Sequence, residues 1–392
     1  MPDPKSIPRT WPLPSRLPRP EPAPESQAQR AGPELTIIAP TYNERGNVVG
    51  LVNRLSRCLE HESWEVIFVD DDSGDETAET VRKLAIADRR VRCIQRIGRR
   101  GLSSACIEGM LASSAPYIAV IDADLQHDEQ VLPQMLKVLR DTDADVVVGS
   151  RYVEGGGLGD WDTSRAAVSR FATRLSRLVV PADLTDPMSG FFMLRREVLG
   201  MTVHRLSAIG FKILLDLFAS APRPLRFVEV PYEFRARRSG ESKLDSAAAW
   251  DYVMLLLDKK FGHVVPARFI AFSMVGGAGV VVHFACLVTL FRVIGVSFVA
   301  AQSVAVMVAM VFNFTVNNLL TYRDRRLRGL KWLRGLTTFA LSCSVAALAN
   351  VGIASYLYQS SLGWVPSAIA GVLVSAVFNY AMTTAFTWRA QR

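Results

Sequence analysis

Two carboxylates stand two residues apart in Asp122-Ala123-Asp124, directly after the apolar run 116–121 and before Leu125-Gln126-His127-Asp128. A run of that length with polar ends reads as a buried strand. Carboxylates at its tip suit a hard divalent cation, because Mg²⁺ and Mn²⁺ take oxygen ligands and use one or two carboxylates alongside substrate phosphates. More polar groups close earlier apolar runs, in Pro40-Thr41-Tyr42-Asn43-Glu44 and in Val69-Asp70-Asp71-Asp72-Ser73-Gly74-Asp75. A carboxylate there can accept from base N–H groups, whereas Ser73 and Asp75 are better read as helix caps. Gly149-Ser150-Arg151-Tyr152 brings a guanidinium to the end of another run, and Arg237-Arg238-Ser239-Gly240-Glu241-Ser242-Lys243 is a basic loop suited to phosphates.

These groups need a frame that gathers strand ends. Apolar runs at 35–39, 64–69, 91–94, 117–121 and 145–148 alternate with helical patterns near 47–59, 76–87, 103–112 and 129–140. That alternation predicts an α/β, Rossmann-like domain with a mostly parallel sheet and helices on both faces. Ligands of such sheets bind beyond the carboxyl ends of the strands, where the strand order switches. With the order 3-2-1-4, the segment after the first strand and Asp122-Ala123-Asp124 after the fourth face one crevice. Asp186-Pro187-Met188-Ser189-Gly190-Phe191-Phe192 has Pro and Gly at turn positions and an aromatic pair of core type.

The remaining third has another character. Residues 269–291, 293–322 and 335–388 carry no charge apart from the flanking basic positions, enough for four spans near 268–291, 296–320, 335–358 and 364–387. Residues 259–392 hold twelve Lys and Arg against one acid, a net +11, so the first 258 residues carry −3 of the total +8. The basic excess therefore flanks membrane spans and does not indicate nucleic acid. Its placement predicts a multi-pass protein with the catalytic domain and both termini cytoplasmic; the expected location is a bacterial inner membrane. Val311-Phe312-Asn313-Phe314 and Val377-Phe378-Asn379-Tyr380 form a weak repeat, each followed by an aromatic end at Tyr322 or Trp388. Asn313, Asn317, Asn318 and Asn379 are expected to face other helices, because an unpaired amide in hydrocarbon is costly.

Residues 1–33 are rich in Pro and charge and are expected to be a disordered tail, with no hydrophobic core of a signal peptide. Arg170, Arg174 and Arg177 recur at helical spacing among apolar residues over 163–180, which predicts an amphipathic helix in the membrane interface. Residues 246–264 join the two domains. The five cysteines show no paired or metal-type spacing.

The set over residues 35–245, in order and spacing, resembles the family-2 glycosyltransferases of GT-A fold that make polyprenyl-phosphate sugars, of the dolichol-phosphate mannose synthase kind. The four spans resemble the small GtrA-type membrane domain that accompanies such enzymes. The resemblance implies that Pro40, Tyr42, Glu44, Val69, Asp71 and Ala123 hold the nucleotide. It implies Asp122, Asp124 and Gln126 as ligands of Mg²⁺ or Mn²⁺, with Asp124, Arg237 and Lys243 carrying catalysis. Arg151, Arg237 and Lys243 would contact donor and acceptor phosphates, and Arg151, Arg165 and Ser169 the lipid phosphate. GDP-mannose is the implied donor and polyprenyl phosphate the acceptor, transfer proceeding with inversion. UDP-glucose or UDP-N-acetylglucosamine is the alternative donor, and a flippase or delivery module the alternative class. The turn Gly98-Arg99-Arg100-Gly101-Leu102-Ser103 is more basic than the family's glycine turn. No Gln-x-x-Arg-Trp occurs, which argues against a processive polysaccharide synthase.

Overall fold

A computed structural model describes residues 32–157, 172–180, 182–235, 246–262, 264–359 and 364–389. Residues 1–31 of the tail, Arg165, Ser169, Arg237 and Lys243 lie outside the described residues, as does the first half, 163–171, of the segment 163–180.

Four parallel strands carry the crevice: β1 (Leu35–Thr41), β2 (Trp64–Asp70), β3 (Val91–Gln95) and β4 (Tyr117–Val120), in the order β3-β2-β1-β4. The expected order of these four is the observed one. Leu35 pairs with Trp64 on one side and Tyr117 on the other. The helices between them are α1 (Arg45–Cys58), α2 (Thr77–Ala87) and α3 (Leu102–Ala112), followed by α4 (Leu132–Asp141). Strands β1 and β2 are buried along nearly their whole length, as expected for central parallel strands covered on both faces. The helix α1 turns Asn47, Val48, Leu51, Val52 and Leu55 inward, an i, i+3, i+4 stripe that places it on the sheet.

Beyond β4 the sheet departs from a simple parallel continuation. The next strand in sequence, β5 (Val146–Ser150), does not pair with β4. A four-residue strand β6 (Phe192–Arg195) inserts between them, antiparallel to both, and β7 (Phe227–Pro231) completes seven strands beside β5. This insertion brings the segment 186–191, immediately before β6, to the end of β4. Short helices α5 (Arg196–Thr202) and α6 (Ile213–Ser220) follow β6. Two apolar layers cover the faces of the sheet, one containing Leu55, Phe68 and Leu136, the other Ile38, Cys106 and Leu214. Phe191 and Phe192 are core residues, fully buried.

The described end of the segment 163–180 is helical from Ala172. Leu175 and Val179 pack on the catalytic core, and Tyr252 donates to the Ala172 carbonyl at 2.6 Å. Helix α7 (Ser246–Phe261) connects to the membrane helices α8 (Ala267–Val288), α9 (Phe298–Val316), α10 (Leu330–Gln359) and α11 (Trp364–Met382). Among the described residues, four stretches are long and apolar enough to cross a bilayer. Ion pairs fasten α7 at both ends: Lys259 meets buried Asp216 at 2.5 Å, and Asp251 accepts from Arg323, in the loop between the second and third spans, at 2.8 Å.

The two repeated ends of the spans meet. Tyr322 and Trp388 stack with centroids 4.1 Å apart and an interplanar angle of 3°. Asn318 accepts from the Trp388 indole at 3.1 Å and from the Leu327 amide at 2.8 Å. Asn317 and Asn318 are buried, Asn313 abuts Gly279, and Asn379 donates to Cys343. Asn313 and Asn379 therefore face neighbouring helices, Asn318 faces the residues at the span ends, and Asn317 donates to the Asn313 carbonyl of its own helix.

Candidate active site

The crevice is built where β1, β2 and β4 end. Leaving β1, Asn43 takes φ +57°; leaving β2, Asp72 takes φ +58°; after β4, Leu125 takes φ +63°. Left-handed backbone at residues with a Cβ costs of order 1–3 kcal/mol and clusters at functional sites. The β1 and β2 loops are knitted together: the Asn43 amide donates to Ser73 Oγ, the Gly74 amide to Asn43 Oδ1, and the Arg45 amide to Asp75. Asp75 also accepts from the Thr77 amide at the start of α2, one position ahead of the N-cap, which Glu76 occupies in left-handed backbone, so Asp75 supports the helix start without being its cap. Ser73 does not cap that helix; it donates to Asp70 and bridges the two loops.

Asp71 lies near the bottom of this wall. It accepts from Arg96 at 2.8 Å and from the Gly101 amide at 2.7 Å. Burial raises its pKa, opposed by these two partners. Tyr42 lies half-buried beside it in the crevice wall, with the Arg100 guanidinium 4.4 Å from its ring centroid. Glu44 accepts from Asn47 Nδ2 at 2.7 Å, and its backbone starts α1. The Val69 side chain is fully buried under Gly109 of α3, so any ligand contact there runs through its backbone. Pro40 sits opposite Val69 in the β1–β2 register.

The opposite wall carries the carboxylates. Asp122 and Asp124 flank buried Ala123, and Asp124 accepts from the Gln126 amide at 3.2 Å. Gln126 donates its Nε2 to the Arg235 carbonyl at 3.1 Å, so an ion at this site would be met by Oε1. A Cβ on Gly190 would come within 3.0 Å of Asp122 Oδ2, so glycine is what lets the β6 approach pass this carboxylate. Two carboxylates and a carboxamide oxygen make a hard donor set that fits Mg²⁺ or Mn²⁺ with substrate phosphates filling the remainder.

Behind this wall sit Arg151, expected at phosphates, and three groups that sequence reasoning gave no role: His127, Asp186 and Lys212. His127 is buried in a box of Phe191, Tyr232 and Phe234. Its Nδ1 accepts from the Asp122 backbone N–H at 3.3 Å. Burial pulls its pKa down to about 4 against the opposing charge of Asp124, so it is neutral near pH 7. Arg151 spends Nε and Nη2 on a bidentate pair with fully buried Asp186, each bond 2.8 Å. Burial opposes its charge, and Asp186 more than offsets that. Lys212, at the start of α6, donates to the Met188 carbonyl at 3.0 Å. Burial and then Arg151 pull its pKa down to about 8, with Asp186 and Asp122 acting in the other direction. Among the described residues the inner site holds Arg151 and Lys212 against Asp122, Asp124 and Asp186, one negative charge in excess. His127 follows the aspartates by three residues and was visible in the sequence. Asp186 stood in a motif the sequence marked as a turn, but its pairing with Arg151 was not visible there, and Lys212 had no local signal; the segment before β6 brings both to the end of β4.

Carboxylates at the tip of a parallel strand, a polar wall across the switch point and four membrane helices define a membrane-anchored glycosyltransferase. Residues 36–200 match the family model for glycosyl transferase family 2, and residues 271–390 that for the GtrA/DPMS transmembrane domain. A dolichol-phosphate mannosyltransferase of Pyrococcus furiosus is 34% identical over 359 residues, covering 91% of this chain and 99% of the relative. That of Saccharomyces cerevisiae is 37% identical over 241 residues, covering 58% of this chain and 89% of the relative. Among solved structures, glucosyl-3-phosphoglycerate synthase from Mycobacterium tuberculosis aligns with a TM-score of 0.44 at 20% identity, over 58% of this chain and 80% of that one. The chain belongs to the dolichol-phosphate mannosyltransferase family, with a family-2 catalytic domain followed by a GtrA/DPMS membrane domain.

Proposed function

We propose that the protein transfers mannose from GDP-mannose to a polyprenyl phosphate, giving polyprenyl-phosphate mannose and GDP with inversion at the anomeric carbon. The observation that carries this reading is end-to-end similarity to an archaeal dolichol-phosphate mannosyltransferase, through the crevice and all four spans. The basic residues around 259–268, 323–334 and 389–392 support a cytoplasmic crevice and cytoplasmic termini.

A phosphate monoester has a second pKa near ~6, so the acceptor oxygen is largely ionised at pH 7 and needs no strong base. His127 is consistent with that: it is neutral, enclosed, and its Nδ1 is occupied by the Asp122 amide. Asp122, Asp124 and Gln126 Oε1 would hold the divalent ion. When bound, it supplies charge neutralisation on the departing diphosphate. Pro40, Tyr42, Glu44, Asp71, Ala123 and the Val69 backbone would hold the nucleotide. Arg237 and Lys243 would contact the donor and acceptor phosphates, and Arg165 and Ser169 would take the lipid phosphate. Arg151 and Lys212 add positive charge beneath these groups, and Asp186 fixes the orientation of Arg151. The chief catalytic contribution of these residues is alignment of acceptor oxygen, anomeric carbon and leaving group.

The test is transfer of label from GDP-mannose, UDP-glucose and UDP-N-acetylglucosamine into lipid extract by the purified full chain with Mn²⁺ and undecaprenyl phosphate. The proposal expects label in the organic phase from GDP-mannose only. Label from a UDP-sugar alone replaces the donor, and none from any donor removes the transferase assignment.

A further inference from the structure

The turn between β3 and α3 carries three arginines that the proposed chemistry does not use. Arg96 is buried and committed: Nη1 to Asp71 and the Gly101 carbonyl, Nη2 to Ser104, and Nε 3.3 Å from Glu108. Arg99 pairs with Glu108 at 3.0 Å. Arg100 is placed differently. It is exposed, and its guanidinium lies over the Tyr42 ring, on the crevice side of the turn. The backbone delivers it there. Gly98 (φ +69°) and Gly101 (φ +144°) take conformations that favour glycine. The Gly98 amide donates to Asp72 Oδ2 at 3.3 Å and the Gly101 amide to Asp71 Oδ2 at 2.7 Å. The turn is thus pinned at both ends across the tip of β2, with Arg100 between the pins.

We infer that Arg100 selects guanine over uracil in the nucleotide of the donor, with the β2 carboxylates as its counterpart. This rests on the reading of the crevice as a nucleotide-sugar site. A guanidinium stacked on a ring uses its face for the cation–π contact and keeps its N–H donors in its own plane, at the edge. Guanine presents O6 and N7 side by side, a pair of acceptors that matches this fork. Its opposite edge carries N–H donors, which a carboxylate accepts; each oxygen of Asp71 and Asp72 has a second lone pair for the purpose. Uracil has no adjacent pair of acceptors, since its carbonyls flank an N–H, and the fork then finds one partner. Tyr42, Asp71 and Arg100 follow three neighbouring strands, β1, β2 and β3, so stacking surface, carboxylate and fork come to one end of the crevice. A bidentate contact of this kind is worth about 5- to 150-fold in discrimination.

The test is equilibrium binding of GDP and of UDP, with Mn²⁺, to the full chain in detergent, as wild type, Arg100→Ala and Arg100→Lys. Wild type is expected to favour GDP. Arg100→Ala is expected to lose about 5- to 150-fold in GDP affinity with UDP affinity unchanged, and Arg100→Lys, which keeps the charge without the fork, to recover only part of it. Equal losses for GDP and UDP would place Arg100 on the diphosphate and overturn the inference, as would an unchanged GDP affinity in Arg100→Ala. Wild-type protein that binds UDP as tightly as GDP overturns it too, while leaving transfer itself in place. Binding of neither nucleotide overturns both this inference and the reading it rests on.

Discussion

His127 in the soluble domain and Asn318 in the membrane domain are both polar side chains hydrogen-bonded beside a cluster of aromatic rings, and they do opposite things with it. His127, boxed by Phe191, Tyr232 and Phe234, takes a backbone N–H from Asp122. The loop that carries Asp122 and Asp124 is thereby fixed at the end of β4, and Asn43, Asp72 and Leu125 at the strand ends are held in left-handed backbone. Asn318 takes N–H groups from Leu327 and Trp388, and Trp388 stacks on Tyr322. There the polar atoms point into the cluster and join two repeated span ends. The same packing device supports a candidate ligand loop in one domain, with its carboxylates outside the cluster, and a joint in the other, with its polar atoms inside it. The first should tolerate loss of its outward groups without unfolding; the second should not.

The largest separation between the two is expected at Asp124. Asp124→Ala should lower transfer by about 10³-fold or more, the several kcal/mol that a bound cation contributes to charge stabilisation. Its melting temperature should stay near wild type, measured alongside the rate. Unchanged turnover with Mg²⁺ or Mn²⁺ would remove the metal assignment. At Lys212, Lys212→Met should cost about 10²-fold in kcat through loss of charge near the leaving group. The wild-type rate should also fall as pH rises through about 8, where this lysine loses its proton, and that limb should be absent from the variant.

On the membrane side the expected signature is reversed. Trp388→Ala empties a fully buried indole site and should destabilise by about 3–5 kcal/mol. The KM for the donor should be preserved at temperatures where the protein remains folded, and a raised donor KM with unchanged melting would break the comparison. A smaller effect concerns His127. Its folded pKa of about 4 lies below the ordinary 6.5, so the unfolded chain takes up its proton first as pH falls. This contribution to stability is complete above about pH 6.5 and is lost towards pH 4, on the order of 3 kcal/mol. Melting profiles of wild type and His127→Gln across this range should differ in slope, and parallel profiles would contradict the buried neutral imidazole.

Much of this was legible because it is local. The runs that became β1, β2 and β4 give way to Pro40, Asp70 and Asp122, their alternation with helices marks a parallel sheet, and the common 3-2-1-4 order is the one observed. The aromatic ends of the repeat were visible as residue types; that Tyr322 and Trp388 stack on each other was not, since 66 positions separate them. The least legible part was β6. The pair Phe191-Phe192 reads as core, yet the antiparallel insertion of the four residues that start at Phe192 brings Gly190 against Asp122 and Asp186 to Arg151. Arg151 was expected at phosphates, and its pairing with Asp186 depends on residues 35 positions apart meeting across β5 and β6.

The most direct test of the account is a paired count from one reaction of full-length protein with Mn²⁺, undecaprenyl phosphate and labelled GDP-mannose: mannose entering the organic phase and GDP released, for wild type and Asp124→Ala. The account predicts one GDP for each mannose transferred by wild type and neither product above background from the variant. Mannose–lipid formed without matching GDP, or a variant that matches wild type, would contradict it.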